Sequence, residues 1–154
     1  MEHSPLGTGG AIRHAEPYLR SENLLVVNGD SICEVDFRSF YGAHQHHHSL
    51  LSMVLSPVKN AQGYGTVLLD STNRITAFRE KASTPQSAWI NAGMYLMNHT
   101  SLNLMPRQAA FSLEYDFFPG LVLRHPCYGF LVENEMLDIG TPERYEKAQQ
   151  ILIK

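Results

Sequence analysis

The spacing of apolar positions changes several times along this chain, and each change predicts an element. Ala11, Ile12, Ala15 and Leu19 recur at roughly helical spacing behind the glycine-rich turn Gly7-Thr8-Gly9-Gly10, which predicts a helix that Pro17 ends or bends. Leu24-Leu25-Val26-Val27 is a continuous apolar run that stops at Asn28-Gly29-Asp30, the pattern of a strand buried on both faces of a parallel sheet. Asp36 is placed to cap a second helix through Phe37, Phe40 and Tyr41, and Leu50 to Leu55 reads as a second buried strand. The order helix, strand, helix, strand predicts an α/β layer architecture with right-handed crossovers.

From Tyr64 the pattern shortens. Thr66-Val67-Leu68-Leu69 and Arg74-Ile75-Thr76-Ala77-Phe78 flank the turn formers Asp70-Ser71-Thr72-Asn73, which predicts a hairpin. Trp89 to Met97 predicts a further strand after the loop that contains Pro85. Ser112 opens a short helix, SLEYDFFPGLV, whose acids lie early, where a helix N-terminus favours negative charge. Tyr128 to Val132 and Met136 to Ile139 predict two more short strands, and Thr141-Pro142-Glu143 starts a final helix with a capping Thr and Pro at the first helical position. No internal repeat or low-complexity linker interrupts the series, so a single domain over 1–154 is expected.

Composition narrows the class. With 154 residues, 44% of them hydrophobic and 18% charged, the chain has the makings of one globular domain with a packed core. A formal net charge of -3 gives no broad attraction for nucleic acid or anionic lipid, so neither is an expected partner. Cys33 and Cys127 stand far apart with no Cys-x-x-Cys spacing, against a disulfide framework or structural zinc and in favour of a reducing cytoplasm. No apolar run has the length of a signal peptide core or a spanning helix.

Several residues are candidates for chemistry, each with an ordinary alternative. Asp30 follows a buried strand, and a carboxylate at the carboxyl end of such a strand faces the crevice where open α/β sheets bind ligands. Asp138 also stands between a strand and a helix. Two such carboxylates suit Mg²⁺, which takes one or two carboxylates plus water and phosphate oxygens; each is equally readable as a turn or capping residue. Glu80-Lys81 offers a carboxylate for sugar hydroxyls and an ammonium for a phosphate, or else is a solvated surface pair. Asn91-Ala92-Gly93 interrupts an apolar strand, marking a ligand's close approach or a bulge. Glu114 is a further acid or simply the early-turn charge of its helix. Gly7 to Gly10 is a weak phosphate signal without the Lys-Ser/Thr of a P-loop. His44 and His46-His47-His48 read as a solvated helix end near the negative dipole pole, with adventitious metal binding as the alternative. Cys33 and Trp89 read as core.

Taken in order, PLGTGGAI, LLVVNGDS, YGTVLLD, FREK, INAGMYLM, SLEYDFFP and LDIGTPERY resemble the sugar-1-phosphate nucleotidyltransferase family, nearest to its mannose-1-phosphate and heptose-1-phosphate guanylyltransferase branch. The resemblance implies an incomplete doubly wound, Rossmann-like mixed sheet with a sugar-binding hairpin region, in which 1–60 belong to nucleotide and metal binding and 61–154 to sugar-phosphate binding. It implies that Pro5, Gly7 and Thr8 lie against the nucleobase, that Asp30 and Asp138 bind the catalytic Mg²⁺, and that Gly65, Glu80, Lys81, Asn91 and Glu114 surround the sugar phosphate. Lys81 joins the two aspartates in catalysis. The implied reaction joins a nucleoside triphosphate, GTP foremost, to a sugar 1-phosphate with release of pyrophosphate. The chain departs from the family in opening at the base-contacting turn, without the Gly-rich signature that grips the triphosphate. Ala82 stands where Pro is usual, and Met136-Leu137 where an aromatic is common. No appreciable nucleotidyltransferase activity of this chain alone is therefore expected, together with self-association into a dimer or aggregate, unless a separate chain supplies the missing part. The rival expectation is a non-catalytic sugar-phosphate-binding or assembly module.

Overall fold

The computed structural model describes residues 4–81 and 89–152, so the loop with Ala82 and Pro85 lies outside the described residues. Helices and strands fall largely where the apolar spacing predicts them. Helix α1 (Gly7–Ala15) passes into a single tight turn that contains Pro17, then strand β1 (Asn23–Val27), β2 (Ser31–Ile32), α2 (Phe37–His46) and β3 (Leu51–Pro57). The hairpin β4 (Thr66–Leu69) and β5 (Ile75–Arg79) leads to the long β6 (Trp89–Asn98). A π-helical turn (Leu113–Phe117) runs into α3 (Phe118–Arg124), then β7 (Cys127–Leu131), β8 (Leu137–Asp138) and α4 (Pro142–Leu152).

Local chemistry accounts for the boundaries. The Asp36 carboxylate accepts hydrogen bonds from the N–H groups of Arg38 and Ser39, satisfying donors that the first turn of α2 leaves unpaired. Ser112 does the same for Glu114 and Tyr115 at the π-helical turn. In the hairpin, Asp70 Oδ1 accepts from the N–H groups of Thr72 and Arg74, and Asn73 takes a left-handed conformation at φ 63°.

One mixed sheet forms the centre, in the order β5-β4-β6-β3-β7, with β1 also on β6. Its pairs are antiparallel except β3 with β7. Side chains alternate between the faces of each strand. Leu51, Met53 and Leu55 of β3 and Tyr95 and Met97 of β6 join Phe117, Phe118 and Leu121 in one core. Val54, Ala92, Met94 and Leu96 pack with Phe40 of α2 on the other face. The result is helix, sheet, helix in layers, an α/β fold. No helix among the described residues is long and apolar enough to cross a membrane.

The sequence expectation for β1 needs correction. It pairs antiparallel with β6, and only one face is covered: Leu24 is 6% exposed, whereas Leu25 and Val27 are each 50% exposed. The α2 side chain Phe40 covers Val54 and Leu96, whereas on the outer face of β1 the same helix meets Asn23 through His44 and leaves Leu25 and Val27 half exposed.

β6 sets the site. Its pairing with β3 slips between Met53, opposite Tyr95, and Leu55, opposite Asn91, so β6 bulges over residues 92–94. Gly93 at the bulge has φ +72°, and a Cβ there would stand 2.7 Å from Asn28 Nδ2. The bulge thus receives the Asn28-Gly29-Asp30 loop, whose Asn28 N–H donates to the Gly93 carbonyl at 2.8 Å.

Candidate active site

β2 and β8 bring together two carboxylates distant in sequence. Ser31 pairs with Asp138 across this two-stranded ladder, and the Ile139 N–H donates to the Asp30 carbonyl at 2.8 Å. A Cβ built on Gly140 would lie 3.2 Å from Asp138 Oδ1 and 3.4 Å from Asp30 Oδ2, so both carboxylates border one small space. Asp138 Oδ1 accepts from the Gly140 N–H at 2.8 Å, and Oδ2 accepts from the Arg144 guanidinium. Among the described residues no three His, Cys, Asp or Glu side chains gather as a metal cluster. A divalent ion at this pair would complete its shell with water and substrate oxygens, as magnesium does, and two hard oxygen donors fit that ion.

A second group adjoins the β6 bulge at Asn91. A Cβ on Gly65 would stand 2.5 Å from Glu80 Oε2 and 3.5 Å from Asn91 Cβ, so the glycine leaves open a space bordered by those two side chains. Asn91 Oδ1 accepts from the Gly93 N–H at 2.9 Å, and Asn91 Nδ2 donates to the Tyr95 hydroxyl at 2.7 Å. Tyr95 is fully buried; burial raises its pKa, reinforced by the charge of Glu114 and by a hydrogen bond to it. Burial first, then the neighbouring Glu114 charge, raises the pKa of Glu80, against the opposing pull of Lys81. Gly65, Glu80, Lys81, Asn91 and Glu114 therefore share one neighbourhood of acid, amide and ammonium groups, a set that can accept and donate to several hydroxyls at once.

Thr8 connects this neighbourhood to α1. Its Oγ1 donates to Glu114 Oε2 at 2.6 Å and accepts from the Leu113 N–H at 2.9 Å, and Ser112 Oγ also donates to Glu114 at 2.7 Å. Pro5, Gly7 and Thr8 are exposed at the start of α1. The N–H groups of Gly9 and Gly10 are spent on the Phe111 carbonyl, at 3.0 and 3.2 Å, and so cannot cradle a phosphate. The glycines serve close packing of α1 on residues 109–111.

Other candidates stand apart. His44 corrects the sequence reading of a solvated helix end: it is 2% exposed, with Nδ1 2.8 Å from Ser52 Oγ and Nε2 3.1 Å from Asn23 Oδ1. Its pKa is lowered by burial. It borders a cavity of about 430 Å³ at the start of β1 and β3, away from the carboxylates that follow the carboxyl end of β1. His47 stacks on Tyr128. Burial pushes the Cys127 thiol up to about 12 and raises that of Cys33, keeping both from reactive thiolate form. The pattern of the sequence marked Ser112 as a helix start alone and passed over Arg144, Tyr64 and Tyr95. Only a cation in the first turn of α4, close after a strand-end acid, signalled Arg144.

The sequence model of the family described as nucleotidyl transferase matches residues 1–154. The chain is 36% identical over 152 residues to D-glycero-alpha-D-manno-heptose 1-phosphate guanylyltransferase of Aneurinibacillus thermoaerophilus, covering 99% of this chain and 65% of that protein. It is 30% identical to mannose-1-phosphate guanylyltransferase of Mycobacterium tuberculosis, covering 99% of this chain and 43% of that protein. The crystal structure of HddC from Yersinia pseudotuberculosis complexed with GMP-PN superposes with a TM-score of 0.81 at 31% identity, covering 98% of this chain and 64% of that one. The chain thus spans less than two thirds of the length of these relatives.

Proposed function

Because the chain belongs to the nucleotidyl transferase family, we propose that it carries the metal-binding and sugar-phosphate-binding part of a cytoplasmic guanylyltransferase that joins GTP to a sugar 1-phosphate. A phosphate oxygen of the sugar 1-phosphate attacks the α-phosphorus of GTP; the new O–P bond forms as the bond to pyrophosphate breaks, giving a GDP-sugar. The observation that carries the reading is the meeting of Asp30 and Asp138 at one space, joined to the Gly65, Glu80 and Asn91 neighbourhood through Gly93, which touches both Asn28 and Asn91. GTP is favoured because two similar proteins are named guanylyltransferases and the HddC structure holds GMP-PN.

Each residue has a role in this reading. Asp30 and Asp138 would hold Mg²⁺, which when bound offsets phosphate charge as a Lewis acid. Lys81 neutralises the sugar's phosphate. Glu80 and Glu114 accept sugar hydroxyls, Asn91 donates or accepts beside them, and Gly65 keeps the space open. Pro5, Gly7 and Thr8 border the base, with residues 1–60 serving nucleotide and metal and 61–154 the sugar phosphate. Catalysis then rests on positioning and charge, with no covalent protein nucleophile. The reading is tested by titrating the chain with GDP-mannose, GMP and mannose 1-phosphate. It requires the joined ligand to bind far more tightly than either part, through Asp30 and Asp138.

A further inference from the structure

We propose that Arg144 is a resident cation of the carboxylate pair, which a divalent ion must displace, so that this side chain sets how tightly the chain binds its metal. The inference rests on the reading of Asp30 and Asp138 as the metal carboxylates and adds a determinant of their affinity.

Three observations lead to it. First, both oxygens of Asp138 are engaged, Oδ1 by the Gly140 N–H and Oδ2 by Arg144, so an ion taking Oδ2 meets the guanidinium already there. Second, Arg144 lies in the first turn of α4, where the helix dipole disfavours a cation. Its neighbour Glu143 follows the dipole rule, its pKa lowered by a backbone hydrogen bond and by Thr141. Arg144 is instead held by contacts outside the helix: Asp138 on one side and the Tyr64 ring on the other, 5.3 Å from the guanidinium carbon to the ring centroid. Tyr64 immediately precedes Gly65, so the same guanidinium joins the metal pair to the sugar neighbourhood. Third, room exists for release. A cavity of about 460 Å³ adjoins Asp138 and is lined by Lys59, Tyr64, Glu135, Arg144 and Lys147, so a released guanidinium has space beside it and an acid, Glu135, on the same wall.

The balance of charge follows. Without a dication, one guanidinium partly neutralises two carboxylates; a dication neutralises both and repels the guanidinium. A double and a single positive charge about 6 Å apart in water repel by an amount worth about a factor of ten in binding.

The experiment is a calorimetric titration of the chain with Mn²⁺ as probe, repeated with Mg²⁺, on wild type, Arg144→Gln, Arg144→Lys, and Arg144→Gln combined with Asp30→Asn. Arg144→Gln is expected to bind Mn²⁺ about tenfold more tightly, and Arg144→Lys, which keeps the charge, within about threefold of wild type. Equal or weaker binding by Arg144→Gln overturns the proposal, since a merely structural arginine would loosen the site on removal. The double variant separates the two readings. If it binds as tightly as Arg144→Gln alone, the ion sits elsewhere and the metal assignment fails with the proposal. If it loses binding while Arg144→Gln gains none, the metal assignment stands and the role of Arg144 falls.

Discussion

Replacing Gly93 by alanine perturbs a backbone position that touches both Asn28, in the loop carrying Asp30, and Asn91. Its φ of +72° lies in the left-handed region, where a side chain costs about 1–2 kcal/mol. The new Cβ would also stand 2.7 Å from Asn28 Nδ2 and 2.9 Å from Asn28 Cβ and Cγ, so the Asn28-Gly29-Asp30 loop must move. Overpacking of this kind costs about 1–3 kcal/mol. Together the two effects predict a loss of about 2–5 kcal/mol, a large share of the roughly 5–15 kcal/mol that holds a domain. Urea unfolding measures it: with a slope of about 2 kcal/mol/M, the midpoint falls by about 1–2.5 M. Gly42→Ala is the control, because Gly42 is exposed inside α2 with no atom within 4 Å of the new Cβ. There alanine should stabilise by up to about 1 kcal/mol through helix propensity. A Gly93→Ala protein within about 0.5 kcal/mol of wild type, an ordinary surface effect, would refute the reasoning.

His44 and Gly65 yield two further expectations. The pKa of His44 is lowered on folding, so below the unfolded value of about 6.5 the unfolded chain takes up a proton that the native one refuses. Stability from this residue is therefore full above that pH and is lost as pH falls from it toward the lowered native value. His44→Gln, unable to titrate, should flatten that part of a stability-versus-pH curve, and an unchanged slope would count against the buried neutral imidazole. Gly65→Ala places a methyl 2.5 Å from Glu80 Oε2 and 3.0 Å from Phe78 Cζ. It should weaken mannose 1-phosphate binding by calorimetry about tenfold or more, a loss of about 1.4 kcal/mol. Undiminished affinity would remove Gly65 and Glu80 from the sugar site.

The elements were legible where one strand or helix carries its own signal. The apolar run of β3, the Asp70 to Asn73 turn, the Asp36 cap and the Thr141-Pro142 start each depend on neighbours a few residues away, and the structure places all of them as the pattern predicts. β1 was misread because four consecutive apolar residues do not reveal whether a second strand or a helix lies beside them; here Leu25 and Val27 face outward. His44 was misread because its position at the end of a polar helix hides that Asn23 and Ser52 close over the ring. The pairing of Asp30 with Asp138 comes from the β2–β8 ladder, a long-range contact that no local spacing encodes. Arg144 violates the rule that puts acids at helix starts, so a reading by that rule passes over it.

The central claim is that one chain presents a base-contacting turn, a metal pair and a sugar neighbourhood to a single nucleotide-sugar. Thr8 and Glu114 are hydrogen-bonded at 2.6 Å, which would set the proposed base and sugar surfaces side by side. The direct measurement is calorimetric titration of Met1–Lys154 with GDP-mannose, GMP and mannose 1-phosphate, each with and without Mg²⁺. Linked groups reaching adjacent subsites gain roughly 10²- to 10⁴-fold over either alone, so GDP-mannose should bind at least about 100-fold more tightly than GMP or mannose 1-phosphate. That advantage should need Mg²⁺ and vanish in Asp30→Asn and Asp138→Asn. GDP-mannose binding no tighter than GMP, or equally tight in both aspartate variants, would contradict the account.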